Sequence, residues 1–191
     1  MALGLYPSDN LDNLIYKEFE EIVSNNQKRI FAIGEIGIDF KEGQNKEIQE
    51  KFFTLQLELA QKLKIPAIIH SRKAEKEVLK ILENYPKLKK ILHCFSGKFS
   101  LVKKADEMGC YFSIPTNIVK NEHFQKMVKE LPKNKILTET DAPFLSPYPE
   151  KRNQPAFIKE SIKKISEIWN LSEKQTENQI ERNFLKAFYN S

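Results

Sequence analysis

Four strings in the chain each close an apolar run with a side chain suited to holding a metal ion: Glu35 in FAIGEIGIDF, His70 in PAIIHSR, His93 in KILHCFSG and Asp141 in KILTETDAPF. Imidazole and carboxylate together suit Zn, Mn, Fe or Mg, with Zn and Mn matched best to nitrogen and oxygen in one set. The chemistry such a set supports is hydrolysis. Two divalent cations about 3.5–4 Å apart, sharing a carboxylate, acidify a water and brace both oxygens of an in-line displacement. Glu35 is the expected shared carboxylate. Asp141 has two roles open to it, as a ligand and as acceptor of the proton from the attacking water, so Glu35 and Asp141 are the candidate catalytic residues.

Each of these residues also has a plainer reading. A histidine at the end of a strand can be a satisfied, half-buried side chain, and Asp141 ahead of Pro143 can cap a turn. Repetition favours ligation: of three histidines in the chain, two directly follow Ile-Ile or Ile-Leu endings. The third, His123, follows Asn121 as a helix N-cap and is expected on the surface. Arg72 and Ser71, just past His70, are candidate substrate-binding residues, because a planar guanidinium grips phosphate at two points and a hydroxyl adds a third. A salt bridge to a neighbouring loop is the alternative for Arg72. Gly34 and Gly37 flank Glu35, where the missing Cβ lets the chain turn sharply or approach a ligand closely.

These side chains need elements that bring them together. Apolar runs at residues 29–33, 67–69, 90–92, 111–114 and 135–137 read as buried strands. Helical periodicity lies between them. It is clearest over residues 47–64, where Ile48, Phe52, Leu55, Leu59 and Leu63 share one face. Further helices are expected over residues 74–85 (stopped by Pro86), 101–108, 122–131 and 155–169, and over 172–189 with a break. Alternating strands and helices imply parallel pairing, which leaves an open doubly wound sheet or a barrel. Metal-type residues after several different strands favour the barrel, whose active site collects at the strands' C-terminal ends. The expected class is therefore α/β, a (β/α) TIM-type barrel.

Composition narrows the setting. A chain of 191 residues suits one domain, residues 1–191, and 40% hydrophobic with 30% charged residues is ordinary for a folded protein. No run approaches the roughly 20 apolar residues of a membrane span, and MALGLYPSDN lacks the pattern of a signal peptide, so a cytoplasmic protein without membrane association is expected. Cys94 and Cys110 lack CxxC spacing and read as reduced and buried. A net charge of +5 suits a polyanionic partner. The lysines in KEIQEKFF and AEKEVLK nevertheless alternate with glutamates as on any solvated helix face.

The strings AIGEIGIDF, QLELAQKLKIPAIIHSR, HCFSG and TETDAPFLSP, with RNQP around Asn153 and RNF at Asn183, resemble the TatD family of metal-dependent deoxyribonucleases. They run in family order from about Ala2 onward. The resemblance implies a barrel hydrolase that uses divalent cations, two in a complete site, to cleave phosphodiester bonds in DNA, with exonuclease or repair-type activity. It places the metal ligands on Glu35, His70, His93 and Asp141 and makes DNA the expected partner.

The family opens with a strand carrying a His-x-His pair, and no such pair occurs in this chain. ALGLYPSD instead resembles the third strand and its loop, with Tyr6 where many relatives have histidine. Against about 250 residues for a typical barrel, the chain is roughly 60 shorter, which matches two βα units. The resemblance thus implies a barrel lacking its first two βα units, with open edges for a protein partner or oligomer to cover. Two functions are expected side by side: the nuclease, and a catalytically inactive or impaired remnant without the His-x-His ligands. Related metal barrels that cleave amides, lactones or phosphotriesters are disfavoured by Glu35, which stands where a bridging lysine would be needed. A non-enzymatic DNA-binding protein has only the basic charge behind it.

Overall fold

Strand order decides between the two folds. In the computed structural model, which describes residues 1–43 and 45–189, the chain divides into two compact units, residues 1–110 with 187–189, and Tyr111–Lys186. The first unit runs β1 (Ala2–Leu3), α1 (Asn13–Asn25), β2 (Ala32–Gly37), α2 (Lys46–Leu63), β3 (Ala67–His70), α3 (Glu75–Leu82), β4 (Lys90–His93) and α4 (Phe99–Glu107). Strands β1 to β4 pair in parallel and in sequence order. A doubly wound sheet reverses its order at a switch point, and these four strands contain no reversal, so the succession is that of a barrel wall. The second unit carries β5 (Tyr111–Ile114), α5 (Glu122–Glu130), β6 (Ile136–Thr138), α6 (Ile158–Trp169) and most of α7 (Glu173–Phe188), with β5 and β6 again parallel.

The strands are apolar because both their faces are covered. Ala32, Ile33, Ile36, Ile69 and Leu92 are fully inaccessible, as are Leu57 of α2, Val78, Leu79 and Leu82 of α3, and Val102 and Ala105 of α4. Each of the buried Val, Leu and Ile side chains among them contributes about 1.5–3 kcal/mol. The face that α2 buries differs from the expected one. It is Gln49, Phe52, Phe53, Gln56, Leu57, Leu59 and Ala60, because the two glutamines make backbone bonds beneath the helix. Gln49 Oε1 accepts from Asp39 N at 2.8 Å, and Gln56 Oε1 accepts from Leu5 N at 2.6 Å.

Other boundaries moved for local reasons. β2 begins later than expected and continues through the glycines to Gly37, while Gln27–Arg29 forms a single 3-10 turn. Helix α1 was not expected; Asp12 caps it by accepting from Leu14 N and Ile15 N, and Phe19 and Val23 anchor it. Its stripe is blurred in the sequence by Leu14 and Ile22, which face solvent. Helix α7 runs without the expected break. Ser172, just before it, and Gln175, in its first turn, form a reciprocal capping box, each accepting from the other's backbone N–H. Buried Asn183, from RNF, donates to Lys133 O and Ile136 O, both at 2.7 Å, and so ties α7 to the start of β6. Asn121 does cap α5, but His123 is half-buried rather than on the surface. Cys110 is buried as expected, whereas Cys94 is only half-buried. Among the described residues no helix is long and apolar enough to cross a membrane.

The glycines around Glu35 serve strand packing. A Cβ on Gly34 would lie 2.6 Å from Ile68 Cβ, and one on Gly37 would lie 2.0 Å from His70 O. Gly37 also has φ of +146°, a region that L side chains rarely adopt. Gly37→Ala is therefore expected to destabilise the protein by roughly 2–4 kcal/mol. The measurement is the urea midpoint at constant m-value; an unchanged midpoint would show that β2 can relax away from β3.

Candidate metal centre

β2, β3 and β4 are neighbours, and each contributes one donor to a single point. Glu35, His70 and His93 offer ligand atoms that all lie within 4.8 Å of one another, and all three side chains are half-buried. Glu35 Oε1 is 3.0 Å from His70 Nδ1 and 3.4 Å from His93 Nε2. The two imidazole planes are inclined by 28°, with centroids 6.4 Å apart. His70 and His93 are the last residues of β3 and β4, where the sequence predicts them.

Glu35 differs: it lies inside β2 instead of beyond its end. Ile33 pairs with Ala67 and Ile36 with Ile69, so three steps along β2 match two along β3. A bulge of this kind re-aims a side chain, and here it lets a residue within a strand share a site with two strand-end histidines.

Two further residues shape the site: Asp39, which its sequence context does not single out, and Tyr6, which stands out in the sequence only as falling where many relatives have histidine. Asp39 is fully inaccessible, and its Oδ2 lies 3.0 Å from His70 Nε2. Its Oδ1 accepts from Lys41 N at 2.7 Å and from Glu42 N at 2.9 Å. Burial alone pushes the Asp39 carboxyl up. The N–H of Glu42, the His70 ring and the N–H of Lys41 outweigh that effect and hold it below its ordinary 3.8. A signal for Asp39 was present, since Glu35, Gly37 and Asp39 share the two-residue period of an extended chain. Tyr6 is the second residue. Its hydroxyl lies 3.2 Å from His70 Nε2 and 3.3 Å from Nδ1, with ring centroids 4.9 Å apart. Burial, then the negative charge of Glu35, Asp39 and Glu42, pushes the Tyr6 phenol well above its ordinary range, so it stays neutral.

In the neutral tautomer with its one N–H on Nε2, His70 would donate to the sheltered carboxylate of Asp39 and turn its Nδ1 lone pair towards Glu35 Oε1, beside His93 Nε2. Electron-pair donors this close repel one another unless a positive charge lies among them, so the donor set fits a divalent cation.

Of the other expected site residues, Ser71 and Arg72 directly follow His70, and the charge of Arg72 reaches the Tyr6 phenol. Arg72 forms a salt bridge with Glu42 at 2.7 Å, and Ser71 is 4% exposed. Asp141 belongs to the second unit, just past β6, with φ of 58° and its carbonyl accepting from Phe144 N at 2.8 Å. The cluster formed in the first unit therefore holds three of the four residues.

Parallel βα units whose neighbouring strands bring glutamate and two histidines to one point are the arrangement of α/β metal-dependent hydrolases. A family model described as TatD related DNase matches residues 1–189. The chain is 33% identical over 189 residues to a metal-dependent hydrolase of Methanocaldococcus jannaschii, a match covering 98% of this chain and 75% of that one. It is 35% identical over 193 residues to the human deoxyribonuclease TATDN3, covering 97% and 70%. The crystal structure of the TatD homologue YJJV from Escherichia coli superposes with a TM-score of 0.87 at 21% identity, covering 98% of this chain and 75% of that one, and shows the same fold. The chain belongs to the TatD family.

Asp39→Asn is expected to cost roughly 1.5–3 kcal/mol at pH 7, the range for hydrogen bonds to a charged group. Because the folded pKa of Asp39 lies below its unfolded value, the carboxylate's contribution is full above about pH 4 and fades as pH falls through the depressed value. Urea titrations at pH 7 and pH 3 should therefore show the gap between wild type and variant narrowing in acid. A gap that widens would contradict this account.

Proposed function

We propose that the protein is a divalent-metal-dependent deoxyribonuclease that hydrolyses phosphodiester bonds in DNA. The observation that carries this reading is the convergence of Glu35 Oε1, His70 Nδ1 and His93 Nε2 in a chain of the TatD family. The name of the human relative, a deoxyribonuclease, supports the choice of substrate. Glu35, His70 and His93 would hold the cation, and Glu35, which reaches both histidines, would be the carboxylate available for sharing if a second cation binds. When bound, the cations supply Lewis-acid polarisation of a phosphoryl oxygen and a more acidic water. Zn and Mn suit the nitrogen and oxygen donors best. Asp39 fixes the His70 ring, and the neutral Tyr6 hydroxyl lies close to both of its nitrogens. The assignment of Asp141 as a further ligand and proton acceptor rests on the family resemblance.

A second reading, a catalytically impaired family member, is favoured by one observation: the donor cluster found among the described residues holds three side chains, Glu35, His70 and His93.

Both readings meet in one assay. Chelated protein is supplied with Mn, Zn or Mg and given end-labelled single- and double-stranded DNA. Metal-stimulated cleavage is expected, with Glu35→Ala lowering kcat by at least about 100-fold, the upper end for loss of a mere outer partner. Folded protein that shows no metal-stimulated cleavage would establish the second reading instead.

A further inference from the structure

We propose that Phe144 and Arg152, on the loop after β6, form a subsite for single-stranded nucleic acid, with Phe144 stacking on an unpaired base and Arg152 pairing with the backbone phosphate. The proposal rests on the nuclease reading and adds to it the form of substrate that the second unit holds.

Phe144 is 69% exposed, more than any other aromatic side chain among the described residues. Its loop is not loose. Asn153, 3% exposed, donates from Nδ2 to Thr116 Oγ1 at 2.8 Å and to Thr140 O and Phe144 O, both at 2.6 Å. Thr116, fully inaccessible, donates in turn to Leu145 O at 2.9 Å. Phe144 N bonds to Asp141 O at 2.8 Å, and Asn153 N bonds to Pro143 O at 3.1 Å. The backbone on both sides of the exposed ring is therefore fixed before any ligand arrives, which keeps the ordering entropy of binding small.

The loop does not need Phe144 for its own packing. Tyr148 anchors it, with its ring edge-on to Phe157 at 4.9 Å and its hydroxyl donating to Glu160 at 2.7 Å. Phe144 has no ring partner among the described residues. Arg152 borders an open hollow with Ala142, Pro143 and Gln154. It is exposed and has no ion-pair partner among the described residues, whereas Arg72 is occupied by Glu42.

An exposed aromatic ring and an unpaired guanidinium on one fixed loop, brought near each other in the backbone by the bonds of Asn153 to Pro143 O and Phe144 O, match a nucleotide, which offers a base to stack and a phosphate to pair. The base must be unpaired, because in a duplex both its faces are already stacked. A lone exposed ring is too small for an apolar protein interface, which needs a contiguous patch.

The test uses the full chain in chelator, so that no strand is cut. Affinity is measured by fluorescence anisotropy for a labelled ten-nucleotide oligothymidylate and for an abasic strand of equal length. Wild type is expected to bind the thymidylate roughly 5- to 100-fold more tightly than the abasic strand. Phe144→Leu should lose that preference and leave abasic binding unchanged. Arg152→Gln should weaken both strands and reduce the salt slope by about 0.7. The proposal is overturned if wild type shows no preference, if Phe144→Leu keeps it, or if that variant weakens both strands equally. Since Phe144 is largely exposed, circular dichroism of the variant should match wild type. Cleavage is read separately through Glu35, so loss of the stacking signature and loss of nuclease activity remain distinct results.

Discussion

With no Cβ on Gly34 or Gly37, β2 lies against β3 at a spacing that a side chain would forbid, and the rest of the centre depends on that contact. The bulge between Ile33 and Ile36 falls within the same stretch and sets Glu35 facing His70 and His93. If β2 stood off by the width of a methyl group, the 3.0 Å approach of Glu35 to His70 and that of Asp39 to the same ring would both be lost. The packing of two strands and the geometry of three donors are one constraint.

Charge follows from that geometry. Glu35 and Asp39 flank a single imidazole, and each by itself would be an unfavourable neighbour for the other. Asp39 is stabilised as an anion by two backbone N–H groups as well as by His70, so it needs no mobile counterion. Glu35, about a third exposed, has no comparable backbone support among the contacts described here and remains the group with affinity left for a cation. Tyr6, held neutral by burial and then by the same negative field, contributes contact without adding charge.

Much of this was legible in the sequence, and the parts that were not have physical reasons. His70 and His93 could be read because a polar ring ending an apolar strand is conspicuous in a nonpolar context. Glu35 was found, although its place inside a bulged strand was not, since a register shift leaves no mark on composition. Asp39 went unnoticed because an aspartate after a strand resembles any turn residue; its two-residue spacing from Glu35 is a faint mark, and its burial reveals its role. Gln49 and Gln56 were hidden for the opposite reason. Polar residues on a helix are assigned to solvent by periodicity, and that assumption rotated the expected face of α2 away from the true one. Helix α1 was obscured by the apolar residues it leaves exposed.

The two glutamines of α2 give the helix a mechanical role that hydrophobic packing alone would not. Gln49 holds the backbone at Asp39, and Gln56, two turns or about 10 Å further along the axis, holds the backbone at Leu5, next to Tyr6. Both segments touch His70, from the Nε2 side and across the ring. The helix thus works as a common spar for two loops that are far apart in sequence, so axial play in α2 shifts both supports of the imidazole together and leaves its tilt between them nearly constant.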